Sequence, residues 1–183
     1  DSRELDIMIP NTLLGIKLAH TDYTTENIIK KELTYSVLLD IILGKSTENY
    51  QNLLRKELVN DTFGLDITLE SSYGFLLFGG NTNHPEEFYI ELRSILQNST
   101  KESISTTHFN RAKKQIIGGF ISALNSLEYT ANQFTKFHFQ NASLFNILQI
   151  AKSITIEDIK NELDVLYNDK NYTTFTTYPK RSE

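Results

Sequence analysis

The chain has 183 residues, 39% of them hydrophobic and 22% charged, with a formal net charge of −5; this is length enough for one domain with a real core and a composition ordinary for a soluble globular protein. The acidic balance lacks the basic footprint of a nucleic-acid binder, and no apolar run approaches the roughly 18–20 residues of a membrane span. The absence of cysteine excludes disulfides, thiolate zinc sites, iron–sulfur clusters and a cysteine nucleophile together.

Asp1-Ser2-Arg3-Glu4 has neither an initiator methionine nor a signal-peptide layout. The expectation is a segment that begins inside a longer protein, with the cytoplasm as its location. Two short apolar runs between Ile7 and Ala19 flank Pro10-Asn11 and predict a first strand followed by a second ending near His20. Thr24 or Thr25 can cap a helix whose Glu26 suits the positive end of the helix dipole. Ile28, Ile29, Leu33, Val37, Leu38, Ile41 and Ile42 carry that helix to about Leu43. Gly44 is a natural stop because it tolerates left-handed backbone. Ser46 or Thr47 then caps a helix holding Tyr50, Leu53, Leu54 and Leu58.

A hairpin follows. Phe63, Leu65, Ile67 and Leu69 alternate with Gly64, Asp66, Thr68 and Glu70, and the alternation resumes through Tyr73 to Phe78; period two in adjoining runs marks paired strands with one face on a core. Gly79-Gly80-Asn81 ends the second strand, where unusual backbone angles are expected. Asn83 caps the next helix, with Pro85, Glu86 and Glu87 in its first turn and Phe88, Leu92, Ile95 and Leu96 along its stripe. Lys101 to Thr107 reads as a polar connection. A long helix from about His108 carries Phe109, Ala112, Ile116, Phe120 and Leu124. Gly118-Gly119 inside it costs roughly 1 kcal/mol per glycine against alanine, which predicts close approach of a neighbouring backbone. Asn125-Ser126-Leu127-Glu128 opens a further helix, Thr155-Ile156-Glu157-Asp158 opens the last, running to about Tyr167, and Tyr172 to Tyr178 reads as a final strand. The hairpin requires antiparallel pairing, so the predicted class is α+β, an antiparallel sheet with helices packed on it. Residues 1–183 are expected to form a single domain.

Chemistry is sparse. The four histidines stand at 20, 84, 108 and 138, so neither H-E-x-x-H nor H-x-x-E-H occurs, and two ligands on one helical face are impossible. Gly44-Lys45-Ser46-Thr47 lacks the earlier glycine of a phosphate loop and follows a helix instead of a strand. No G-x-S-x-G nucleophile elbow is present. Glu86-Glu87 and Glu157-Asp158 fall in first turns of helices, where dipole compensation accounts for them. On these residues the segment is expected to have no self-sufficient catalytic site, with no catalytic residue and no metal ligand singled out, leaving only a zinc site assembled from distant His and carboxylates as the less favoured expectation.

The ordered pattern, from about Leu5 to Tyr178, resembles the C-terminal half-unit of an insulinase-like, pitrilysin-family zinc metallopeptidase of the bacterial two-domain type. Leu5-Asp6-Ile7-Met8-Ile9-Pro10 and Leu14-Gly15-Ile16-Lys17 resemble that domain's opening strand pair. Gly44-Lys45-Ser46-Thr47-Glu48-Asn49-Tyr50-Gln51-Asn52-Leu53 resembles its helix, Leu58 to Phe63 its exit, and Gly79-Gly80-Asn81-Thr82 its strand end. Phe109 to Lys114, Gly118 and Asn125 to Glu128 resemble the helices that follow. The resemblance implies a half-unit of the LuxS/mitochondrial-processing-peptidase-like metallohydrolase fold, paired with an N-terminal zinc-binding domain in the same chain or in a partner subunit. It implies that zinc sits in that partner, and that this half walls a chamber and grips an extended peptide substrate, often by strand addition. Arg55 and Phe63 lie where some members place an Arg and a Tyr against substrate. Phe63 lacks the hydroxyl that could polarise a peptide carbonyl. The competing expectation, from a different class, is an inactive homologue that acts as a binding or assembly subunit.

Overall fold

The computed structural model describes residues 1–18, 25–70, 72–139 and 142–180. Five strands, β1 (Ser2–Leu5), β2 (Asn11–Lys17), β3 (Gly64–Leu69), β4 (Gly74–Asn81) and β5 (Tyr172–Pro179), form one sheet in the order β1-β5-β2-β4-β3. The pairs β2–β4, β2–β5 and β3–β4 are antiparallel, as the hairpin requires. The outer pair β1–β5 is parallel, so the sheet is mixed and not purely antiparallel, within the expected α+β class. The opening strand also sits earlier than its hydropathy implies. Ser2–Leu5 is exposed throughout and is held by backbone pairing with β5, whereas Met8 in the apolar stretch is 96% exposed. The predicted strand end near His20 and the cap at Thr24 lie outside the described residues.

The β4 strand lies between β2 and β3, and both of its faces are apolar in sequence. Its core face is Leu76 and Phe78, fully buried opposite Ile16 and Leu14 of β2. Helix α1 (Thr25–Leu43) brings Tyr35, Leu38, Leu39 and Ile42 to this core, and α3 (Pro85–Gln97) brings Phe88, Leu92 and Leu96. The other face of the sheet carries Leu13, Phe75, Leu77 and Phe175, each partly or well exposed. At the end of β4 the glycines serve close packing, not special angles, since no described glycine has positive φ. A Cβ on Gly79 would stand 2.1 Å from the Thr12 carbonyl oxygen, and one on Gly80 would stand 2.9 Å from that of Thr62.

Helix ends follow their chemistry, with shifts from the sequence reading. Thr47 Oγ1 accepts from Tyr50 N at the start of α2 (Glu48–Arg55). That helix closes with Leu58 N donating to Leu53 O and Glu57 N to Leu54 O, the paired bonds of a Schellman ending. Glu57, with φ 57°, takes the left-handed position there. Gly44 does not; its Cα lies so close to the end of α1 that a Cβ would meet Asp40 O at 2.4 Å. The N-cap of α3 is His84, without a side-chain bond, in place of the expected Asn83. Ser105 caps α4 (Thr106–Ala123), so that helix starts before His108. Ser126 accepts from Tyr129 N at the head of α5 (Leu127–Phe139).

Helix α6 (Ile147–Ser153) is not among the elements expected from sequence; its N-cap Asn146 makes no side-chain bond. The Thr155–Asp158 capping box opens α7 (Ile156–Asn161), and the expected run to Tyr167 finishes as 3₁₀ turns over Leu163–Tyr167. Gly118 and Gly119 contradict the expected close approach: among the described residues a Cβ on either would meet nothing within 4 Å. Among the described residues no helix is long and apolar enough to cross a membrane.

Candidate functional site

The apolar run at the end of α1 is broken by Asp40. Gly44 N donates to Asp40 O, and the missing side chain at Gly44 leaves room for the Asp40 carboxylate to fold over the helix end. Below that end lies a cavity of about 520 Å³, walled by α1, the start of α2, the head of β3 and the middle of α4. Leu43, Tyr50, Phe63, Leu65 and Ile116 give it an apolar lining, with Asp40, Ser46 and Gln115 supplying polar groups. Ser46 also lines a second cavity, of about 620 Å³, on whose wall lie His108 and Arg111. Arg111 stands between the α1 end and the following turn, donating to Ser46 Oγ and approaching Asp40 Oδ2 at 3.7 Å.

Phe63 is positioned by its backbone. Asn60 Oδ1 accepts from Thr62 N and Thr62 Oγ1, Asn60 Nδ2 donates to Asn81 O, and Thr62 Oγ1 accepts from Asn81 N. These bonds tie the approach to β3 onto the end of β4, where a Cβ on Gly80 would stand 3.0 Å from the Phe63 backbone. The ring then stands between Tyr50 (6.0 Å between centroids) and Phe88 (6.2 Å, edge-on). Phe63 is therefore a cavity wall with an aromatic backing. Arg55 is not brought to it. Five residues past Tyr50 on the same helix, Arg55 projects roughly 140° away from that buried face. Its side chain is 64% exposed and bonds Glu48 Oε1 at 2.5 Å and Asn52, both on its own helix. An exposed pair of this kind contributes about 0–1 kcal/mol.

Sequence reasoning about the site missed Asp40, Gln115 and Ile116, which come from α1 and α4. The signal available was the lone acid in the Val37–Leu43 run. Gln115 Nε2 donates to Asp40 Oδ1 at 3.2 Å, while Oδ2 is buried without a hydrogen bond. With its side chain only 13% exposed, Asp40 is held above the ordinary carboxylate range by burial, which outweighs the Arg111 guanidinium pulling the other way. The carboxylate also lies at the negative end of α1, where a charge of that sign is disfavoured. A carboxyl raised in the folded state binds its proton more tightly than in the unfolded chain, so its ionisation lowers stability as pH rises through the folded value. Asp40→Asn is accordingly expected to raise the urea midpoint at pH 7. The gain should vanish near pH 4, and equal midpoints of variant and parent at pH 7 would count against this assignment.

The cavity opens beside β3, which lies at the margin of the sheet and keeps Gly64, Leu65 and Asp66 exposed. An edge strand offers unpaired N–H and C=O groups to another extended chain. Side chains of such a chain alternate toward and away from the core face, so one of them can enter the cavity. Metal chemistry has no comparable seat. Among the described residues no three His, Asp or Glu side chains converge. His84 is a helix cap 4.0 Å from Glu87, and His138 stacks on Phe134. The donor set of these described residues does not fit zinc.

By its backbone the chain has the fold of one half-unit of an M16-like peptidase. An M16-like peptidase from Alicyclobacillus acidocaldarius matches 98% of it with a TM-score of 0.85 at 23% identity, over 43% of that chain. The inactive peptidase domain of a zinc protease from Bordetella parapertussis matches 97% of it with a TM-score of 0.72 at 13% identity, over 98% of that chain. No family model matches. In sequence the chain is 35% identical to the zinc protease YmfH of Bacillus subtilis over 158 residues, 86% of this chain and 37% of that protein. Sequence and fold together support a C-terminal domain of the M16 peptidase kind. It spans about two fifths of the length of the curated relative it matches.

Proposed function

We propose that this half-unit walls the chamber of a zinc-dependent peptidase and holds an extended peptide for hydrolysis by a zinc-bearing N-terminal half, joined to it or separate. The observation that carries the reading is the exposed head of β3 opening onto the cavity lined by Phe63, Leu65 and Tyr50. Zinc bound in the partner half would supply Lewis-acid activation of water. The residues of this chain bind and orient: the β3 edge fixes the peptide backbone, and the cavity takes one side chain.

The test combines the chain with the zinc-bearing half that this reading requires, taken from the same polypeptide or from a neighbouring gene. Separately, the chain should bind less than 0.1 equivalent of zinc by metal analysis and hydrolyse a quenched peptide at background, on the order of 10⁶-fold or more below an enzymatic rate. Together the two halves should cleave it. One tightly held zinc per copy of this chain, or an inert mixture with well-folded halves, would sink the proposal. The second outcome favours the alternative of an inactive homologue acting as a binding or assembly subunit. That reading has its own support in the Bordetella parapertussis protein, an inactive peptidase domain that this fold matches over 98% of its chain.

A further inference from the structure

Tyr50 carries a polar group that the fold leaves unused. Its backbone N–H donates to Thr47 Oγ1 at the start of α2, and its ring packs into the main core with only 7% of the residue exposed. A buried tyrosine normally finds a partner for its hydroxyl. Tyr35 donates to Glu162 Oε2 at 2.6 Å, and Tyr172 donates to the Leu166 carbonyl at 2.7 Å. Among the described residues the Tyr50 hydroxyl makes no such bond. Nor is it sealed, since the closed-off side-chain atoms without a partner are Thr12 Oγ1 and Asp40 Oδ2. The small part of Tyr50 that stays open therefore includes its hydroxyl, and Tyr50 lines the cavity of about 520 Å³ beside β3. A hydroxyl both donates and accepts, and this one does neither within the chain.

The rest of the lining decides which side chain would meet it. Leu43, Phe63, Leu65 and Ile116 make apolar walls, which a short polar side chain such as serine would leave unfilled. The Tyr50 and Phe63 rings stand 6.0 Å apart and tilted by 55°, an arrangement that a third ring extends by edge-to-face contact. Charge is disfavoured with either sign. A carboxylate would face Asp40. A cation would find Asp40 already engaged, with Oδ1 accepting from Gln115 Nε2 at 3.2 Å and the sealed Oδ2 lying 3.7 Å from Arg111. The exposed Lys45 lines the same cavity and adds a second positive charge against it. Phenylalanine would fill the apolar walls, yet it would cover the Tyr50 hydroxyl and leave it without either water or a partner, which is costly. We infer that the cavity is a specificity subsite for a tyrosine side chain of the bound peptide, and that Tyr50 selects it through its hydroxyl. This rests on the peptide-holding reading proposed above.

The experiment uses short threonine-rich peptides that differ in one central residue: Tyr, Phe, Leu, Lys or Glu. They are titrated calorimetrically against the 183-residue chain and compared as substrates of the assembled peptidase. The Tyr peptide should bind tightest, about tenfold or more ahead of the Phe peptide, with the Lys and Glu peptides weaker than both. The order of kcat/KM should be the same. Tyr50→Phe should bring the Tyr and Phe peptides to equal affinity. Its Tm should match that of the parent, because the lost hydroxyl is bonded to nothing in the chain; a lower Tm would reveal an internal bond and overturn the assignment. Three further results overturn the inference and leave the peptide-holding proposal standing: equal binding of the Tyr and Phe peptides by the parent, a Tyr preference that survives in Tyr50→Phe, or the Lys peptide ranked first. If neither the chain nor the assembled peptidase takes any of the peptides, both fall.

Discussion

Gly79→Ala is expected to destabilise the chain by about 4 kcal/mol or more, well beyond the 0.5–3 kcal/mol of an ordinary substitution. The added methyl would stand 2.1 Å from the Thr12 carbonyl oxygen, 2.6 Å from Leu13 Cδ2 and 3.1 Å from Leu13 Cα. Two of these neighbours are backbone, so no rotamer change relieves the clash. The β2 strand cannot move aside cheaply, because it is hydrogen-bonded to β4 on one side and β5 on the other. A shift at Leu13 therefore disturbs both ladders and the Leu14 and Ile16 side chains packed beneath them. Gly64 is the control. It sits directly opposite Gly79 in the β3–β4 pair, yet a Cβ there meets nothing within 4 Å. Gly64→Ala should lie within about 0.5 kcal/mol of the parent, as surface changes usually do. Urea unfolding of both variants decides the matter; a loss below about 1 kcal/mol at position 79 would refute the argument.

These two glycines also mark where sequence reasoning stops. The β3–β4 hairpin was legible because Leu65, Ile67 and Leu69 alternate with polar residues, and only a half-buried strand imposes that period. The face of β4 was not, since Phe75 and Leu77 are as apolar as Leu76 and Phe78, and only the packing of α1 and α3 distinguishes them. The parallel β1–β5 pair rests on backbone hydrogen bonds of the polar Ser2–Leu5 segment, which leave no mark on hydropathy. Phe63 entered the sequence reading through the resemblance of its surroundings to a family position, and in the structure it lines the cavity. Its cavity partners Asp40 and Gln115 are 75 residues apart and meet only through the packing of α1 against α4. Arg55 shares that sequence neighbourhood but stands on a different face of α2 from Tyr50, paired with Glu48 and Asn52. A helix turns about 100° per residue, so an uncertainty of one residue in register is enough to move a side chain from a cavity to solvent.

The aromatic backing of Phe63 gives the second large effect. Phe88→Ala should cost about 3–5 kcal/mol, the range for removing a fully buried phenylalanine; Phe88 is buried in the main core and touches the rings of both Phe63 and Tyr89. Phe63 is only partly buried, so Phe63→Ala should cost about 1–2 kcal/mol, less than the roughly 1.5–3 kcal/mol that full burial of such a side chain contributes. The rings meet edge-on at 6.2 Å, and such pairs couple by about 0.5–1.5 kcal/mol. The double variant should therefore fall short of the sum of the single costs by that amount. Strict additivity would mean that Phe88 does not support Phe63. The same pair separates the two residues singled out from sequence. If Phe63 forms the wall against which a peptide side chain packs, Phe63→Ala should lower kcat/KM of the assembled peptidase by about tenfold, equivalent to roughly 1.4 kcal/mol of transition-state binding. Arg55, paired on its own helix and facing away, should tolerate alanine within about twofold. The reverse result would place the peptide on the outer face of α2, away from the β3 edge.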